Sequence, residues 1–394
     1  MHAVMSGIEQ AADVAIVGGG LVGAATAFFL RRRGRSVILI ERDLVGQHAS
    51  GTNFGNVRRQ GRFLGQLPLA NRSREIWGRL PELIGEDLEF LPTGHIRVSC
   101  TEEEVGRMEA YARACRDYGL DLELLSANAL RVRFPYLTRD AIAGSFSPLD
   151  GHANPRLAAP AFARAAQRLG AIVAEGAEVA AIDKNGPDFR IETRDGRRFR
   201  APVVQVSAGA WGGELSGRFN EPVPLKAAGP QMGVTEPVPY AIEPVIGVWA
   251  EGSRGIYCRQ VKRGNLVFGF GARAEVGPDG RARIDPAIVG RQTPHLRALL
   301  PAFGQLAVIR TWSGVEGYMA DMLPVMGPSA TTAGLFYAFG FSGHGFQLGP
   351  GVGDVMAELI DTGRTAVPIE PFGIARFRTR ALTSGSGNPA DRHA

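Results

Sequence analysis

Gly18, Gly20 and Gly23 stand at G-x-G-x-x-G spacing between a short apolar run, Val14 to Val17, and a helix-like stretch from Leu21 to Arg33. In a dinucleotide site the first glycine permits a tight turn, the second lets backbone approach a pyrophosphate, and the third lets helix and strand pack closely. Leu21 and Val22 open the helix, where unsatisfied amides and the dipole attract phosphate. Glu41 closes the next apolar run, beside Arg42, at a place where a carboxylate accepts from ribose hydroxyls. Strand, turn, helix, strand and acid in this order predict dinucleotide binding, and leave NAD and FAD undistinguished.

A second glycine-rich turn, Phe339 to Gln347, falls between a buried strand-like run and a helix. Its residues Gly343, His344, Gly345, Phe346 and Gln347 form another helix N-terminus. A nicotinamide site needs no such turn. At the pyrimidine edge of a flavin, its amides would stabilise the negative charge that reduction places near N1 and the C2 carbonyl.

These two turns, together with Ala49-Ser50-Gly51-Thr52-Asn53, Asp150-Gly151-His152, Ala208-Gly209-Ala210-Trp211 and Arg310-Thr311-Trp312-Ser313-Gly314, resemble the D-amino-acid oxidase superfamily over about residues 12 to 378. The branches of similar sequence are the glycine, sarcosine and opine oxidases. The resemblance implies FAD in an extended pose and oxidation of a C–N bond in an amino acid or an N-substituted amino acid. Hydride would pass from the α-carbon to flavin, the imine would hydrolyse, and O2 would become H2O2. It also implies that the loop carrying Ser50, Thr52, Asn53, Gly55, Asn56 and Val57 runs past the flavin, that Val179 meets the adenine, and that Ala208, Gly209 and Trp211 complete the cofactor set.

Departures from the family pattern sharpen these expectations. Gly317 to Ala320 contains no cysteine, so FAD is expected to be noncovalent. Val315-Glu316 follows Trp312-Ser313-Gly314 where glycine oxidases place a carboxylate-binding arginine, and Gln347 stands where sarcosine oxidases have a lysine. A carboxylate drawn into the site still needs a cation, because an unpaired buried charge is costly. Arg58, Arg59 and Arg259 are the candidates, with Arg58 matching an active-site arginine of the sarcosine branch. Glu316 faces the amine or pairs with an arginine. His344 contacts the flavin or caps its turn, and Tyr257 and Tyr318 wall the pocket or pack in the core.

The elements that must position these groups read as an α/β Rossmann-type FAD-binding domain with an inserted antiparallel β-sheet substrate domain. The first takes residues 12–83, 146–215 and 312–378, and the second 84–145 and 216–311, the latter stretch nearly free of helical signal. A Gly/Ser-rich tail at 379–394 is expected to be disordered. Lys plus Arg at 44 against Asp plus Glu at 39 is too mild an excess to imply nucleic acid. Three scattered cysteines show no metal spacing and fit a reducing compartment, so the expected location is cytoplasmic. No stretch reads as a signal peptide or membrane span. The expected partners are a small amine-bearing carboxylate and O2 or another electron acceptor, with a homo-oligomer or heteromeric complex left open. Two rivals stand beside the oxidase reading: a dehydrogenase, alone or as one subunit of a heteromeric complex, that passes electrons to a quinone or protein partner, and a flavin-binding protein without turnover.

Overall fold

The structure, a computed structural model, describes residues 9–250 and 255–380. Val14–Val17 and Val37–Ile40 are adjacent parallel strands in a six-stranded sheet. Its order is Val325–Pro328, Leu335–Phe339, Val203–Val206, Val14–Val17, Val37–Ile40, Ile172–Ala174, with only Val325–Pro328 antiparallel to its neighbour. Alternate residues of one strand serve two layers. Val14 and Ile16 pack among helices Leu21–Arg32 and Pro155–Arg168, while Ala15 and Val17 pack against Ile182, Phe189, Ile191 and Phe199 of a smaller sheet. Burial on both faces is why the run shows no polar alternation. Helix Gly345–Thr362 lies beside Leu21–Arg32, so the C-terminal segment packs onto the first βαβ unit.

The second sheet runs Val308–Ser313, Leu225–Pro237, Asn265–Glu275, Ile256–Gln260, Val245–Val248, His95–Ser99, Ala143–Ser147, Glu123–Ser126. Ile256–Gln260 and Asn265–Glu275 pair antiparallel as a hairpin, with Cys258 opposite Phe268. A parallel pair, Val245–Val248 on His95–Ser99, stitches the two chain segments of this sheet together.

Two features differ from expectation. Helix Pro286–Leu299 lies inside the stretch read as nearly helix-free, started by Asp285, whose side chain accepts from Ala287 N at 2.8 Å. Gly290 and Pro294 interrupt its pattern, but Ile288, Gln292, Leu296 and Leu299 keep helical spacing and are buried. The large sheet also continues past residue 312: Val308–Ser313 and Glu316–Met319 both pair with Leu225–Pro237, and the six-stranded sheet resumes only at Val325. Of the tail, Arg376–Arg380 is a short helix, and residues 381–394 lie outside the described residues. No helix among the described residues is long and apolar enough to cross a membrane.

Candidate active site

At the nucleotide end, Gly18 has φ +110°, and a Cβ there would sit 2.5 Å from the Ser207 carbonyl oxygen. Gly19 N donates to Glu41 Oε2 at 2.6 Å, and Glu41 Oε1 accepts from Asp43 N at 2.9 Å, so this acid fixes both the turn and its own strand end. Ser50 Oγ accepts from Leu21 N at 2.8 Å, and a Cβ on Gly20 would come within 3.2 Å of it. Gly20 therefore faces the cleft. Gly23 does not: a side chain there would run into the Gly18 carbonyl, which marks it as the packing glycine. Arg42 lies 4.2 Å over the Trp211 ring, and His48 Nε2 is 2.7 Å from Asp43 Oδ2. His48, then Arg42, hold the Asp43 carboxyl below its ordinary range.

A continuous cleft of about 640 Å³ leads from here to the second sheet. Of the expected cofactor residues it is lined by Gly18, Gly20, Leu21, Val22, Glu41, Arg42, Ser50, Asn53, Asn56, Val179, Ala208, Gly209 and Trp211, and farther on by Gly343 to Gln347. Thr52, Gly55 and Val57 stand behind the lining with Gly23. The Thr52 carbonyl accepts from Trp312 Nε1 at 2.8 Å, Gly55 N donates to Asn53 Oδ1 at 2.7 Å, and Val57 pairs with Gly151. These contacts anchor the loop whose other face meets the cleft.

The second glycine turn is tied to a strand of the large sheet. Ser342, at φ 51°, donates its N–H to Gly317 O at 3.0 Å and accepts from Met319 N at 3.0 Å. His344 sits at the N-cap of Gly345–Thr362, with its own N–H on Phe341 O at 2.9 Å. A Cβ on Gly343 would lie 3.7 Å from Glu316 Oε2 and 3.8 Å from Tyr318 Oη, which puts the acid beside the turn. Tyr318 Oη donates to Glu316 Oε2 at 2.9 Å. Burial raises the Glu316 carboxyl above its ordinary range, and burial followed by the Glu316 charge pushes Tyr257 and Tyr318 upward, so both phenols stay protonated. The Arg273 guanidinium lies 3.7 Å over the Tyr318 ring. Arg273 was not among the expected residues, and only the antiparallel register that sets it opposite Pro230 brings it here.

The three candidate arginines separate cleanly. Arg59 Nε is 2.9 Å from Asp150 Oδ1 and its N–H reaches Asp150 Oδ2 at 2.8 Å, so its charge is already matched away from the cleft. Arg259 donates to Phe54 O at 2.7 Å and meets His152 Nδ1 at 3.2 Å, also outside the lining. Arg58 lines the cleft, and only its Nη1 is engaged, on Gln60 O. Arg62 and Arg97 line the same region, although neither was expected there. Of the remaining expected catalytic residues, Tyr257, Glu316, Tyr318 and His344 all line the cleft.

A glycine turn closed by the Glu41 carboxylate, a second helix terminus, and one cleft joining both to an antiparallel sheet fit an FAD-dependent oxidoreductase. The model described as FAD dependent oxidoreductase matches residues 13–359, and the chain belongs to that family. The chain is 30% identical over 375 residues to glycine oxidase of Geobacillus kaustophilus (strain HTA426), covering 92% of this chain and 97% of that protein. It is 26% identical over 400 residues to sarcosine oxidase subunit beta of an Arthrobacter species, covering 98% and 96%. Among solved structures, L-proline dehydrogenase from P. horikoshii superposes with a TM-score of 0.88 at 26% identity, covering 95% of this chain and 99% of that one. The family's cofactor is FAD, and this chain's residues fit it: the bare Gly20 face lies at the first glycine turn, Glu41 at the strand end and the Gly343–Gly345 turn along the same cleft.

Proposed function

We propose that the protein oxidises the C–N bond of a secondary amine bearing a carboxylate, such as an N-substituted glycine or an opine, and that O2 takes the electrons to give H2O2. The observation that carries this reading is a pair of opposite charges on the walls of one cleft, the part-engaged Arg58 and the half-buried Glu316, beside the Gly343 turn. They match the carboxylate and amine of one substrate. Bound FAD, held without a covalent link, supplies the hydride acceptor, and water hydrolyses the resulting imine to a carbonyl compound and an amine. Arg58 holds the carboxylate and so fixes which face of the α-carbon is presented. Glu316 receives the amine N–H, and its raised pKa brings it nearer to that of the ammonium it must deprotonate. Tyr318 holds Glu316 in place with its 2.9 Å hydrogen bond. The relatives named for sarcosine and L-proline, both secondary amines, support a substituted nitrogen.

A substrate screen tests the proposal. In anaerobic mixing, flavin absorbance should bleach faster with sarcosine, iminodiacetate or an opine than with glycine or D-alanine. If glycine or D-alanine proves faster than every N-substituted compound, the secondary-amine reading fails. A quinone or protein acceptor is the second reading, favoured by the likeness to a dehydrogenase. Aerobic turnover without stoichiometric H2O2 would establish it over the oxidase.

Glu316 gives the reaction a pH dependence of definite sign. Its carboxylate is the working form, and because burial raises its pKa, that form is lost as pH falls through a value above the ordinary carboxylate range. The acid limb of the kcat/KM profile should therefore lie above that range. Glu316→Gln should flatten this limb and lower kcat/KM by about 100-fold, a typical contribution of a positioned acid–base group. A variant whose limb is unmoved would assign the limb to another group.

A further inference from the structure

The cleft carries more positive charge than one carboxylate requires. Arg62 is 4% exposed, its Nε donates to Arg58 O at 2.8 Å, and its Nη1 is buried with no acceptor among the described residues. Arg97 projects into the same space from His95–Ser99, stacked 3.9 Å over the Trp249 ring and donating to Val248 O at 2.9 Å. Gly61 lies between them and Arg58: a Cβ there would overlap Arg97 Nη1 and come within 3.1 Å of Arg58 Nη1. His95, on the same strand, is driven well below its ordinary pKa by burial and then by Arg58, Arg97 and Arg62.

Among the described residues, the carboxylate that favours the charged forms of Arg58 and Arg62 is Asp150. Both oxygens of Asp150 already serve Arg59. Burial lowers the Arg62 pKa to about 9, so folding holds this cation at a cost that an incoming anion would offset. The buried Arg62 guanidinium, whose Nη1 has no acceptor among the described residues, matches a carboxylate through a charge-assisted hydrogen bond.

We propose that Arg62 and Arg97 form a second carboxylate subsite, so that the substrate is a dicarboxylic amine with one carboxylate on Arg58 and another deeper in the arginine cluster. The inference rests on the amine-oxidation reading above and narrows its substrate. The Glu316, Tyr318 and Arg273 group belongs to the reacting end, and the arginine cluster determines length and charge at the other.

The test compares matched pairs on the holoenzyme. N-(2-carboxyethyl)glycine is set against its terminal carboxamide, and N-methylaspartate against N-methylasparagine, with half-saturation read from anaerobic flavin bleaching. For at least one pair, the diacid should half-saturate at a concentration about tenfold or more below its neutral amide, about 1.4 kcal/mol or more. A preference in the first pair places the distal carboxylate on the nitrogen substituent, and in the second on the carbon side chain. Arg62→Met should bring the favoured ratio near one, and Arg62→Lys should keep part of it. Binding without turnover provides the independent readout: by calorimetry, glutarate should bind the holoenzyme more tightly than butanoate. Equal half-saturation within both pairs, or equal binding of glutarate and butanoate, would overturn the subsite even if secondary amines bleach the flavin. Failure of every amine to bleach it, with glutarate still preferred, would instead defeat the amine-oxidation reading.

Discussion

Gly20→Val should yield a folded protein that contains no FAD. The bare Gly20 face opens onto the cleft, and a Cβ there would already approach Ser50 Oγ to 3.2 Å. That hydroxyl accepts from Leu21 N at 2.8 Å, so two further methyl groups must displace either Ser50 or the phosphate that approaches the helix terminus. Because Gly20 has an ordinary φ of −67°, the substitution introduces no left-handed strain, and the loss should fall on binding rather than folding. Gly23→Val would be a poor substitute, since its side chain would strike the Gly18 carbonyl and disrupt the domain itself. The measurement is flavin absorbance per mole of purified protein beside the circular dichroism spectrum. Full flavin content in a native-like variant would show that the phosphates do not pass Gly20.

The second large effect is expected at Arg58. Arg58→Ala should lower kcat/KM for monocarboxylic and dicarboxylic amines alike by roughly 2–5 kcal/mol, the range for truncating one partner of a desolvated charge pair, or about 30-fold to several thousand-fold. Flavin content should stay at the wild-type level, because the cofactor loop is anchored through Asn53, Val57 and Trp312 and not through this side chain. Arg59→Ala is the informative contrast. It would strip the buried Asp150 of its partner, so its damage should appear as lost stability. An Arg58→Ala enzyme with unchanged kcat/KM would remove Arg58 from substrate binding.

The parts of the molecule legible in its sequence are those set by short-range rules. Gly18, Gly20 and Gly23 with Glu41 lie within one βαβ unit, and the turn at Gly343 announces itself by composition. The arginines show the limit. Arg58, Arg59 and Arg259 look alike in one dimension, and what separates them is whether Asp150, Phe54 or His152 has already taken their donors. Arg62 follows Arg58 by four residues and donates to its carbonyl, whereas Arg97 and Arg273 join the site through long-range contacts, Arg97 by the pairing of His95–Ser99 with Val245–Val248 and Arg273 by its register on Leu225–Pro237. No local spacing encodes such proximity. The helix at Pro286–Leu299 was hidden for a different reason: Gly290 and Pro294 carry poor helix propensity, and the burial of Ile288, Leu296 and Leu299 overrides it.

The order of strands has a consequence for synthesis. Val203–Val206 lies between Val14–Val17 and Leu335–Phe339, so Val14–Val17 gains one parallel neighbour only after half the chain has been made. The outer neighbour and the Gly343–Gly345 turn emerge later still. A nascent chain halted before Leu335 would carry the Gly18–Gly23 turn without the Gly343–Gly345 turn that lines the same cleft. FAD loading is therefore expected only once nearly the whole chain has left the ribosome, and the apolar strands of the central sheet wait until then on slow, distant pairing.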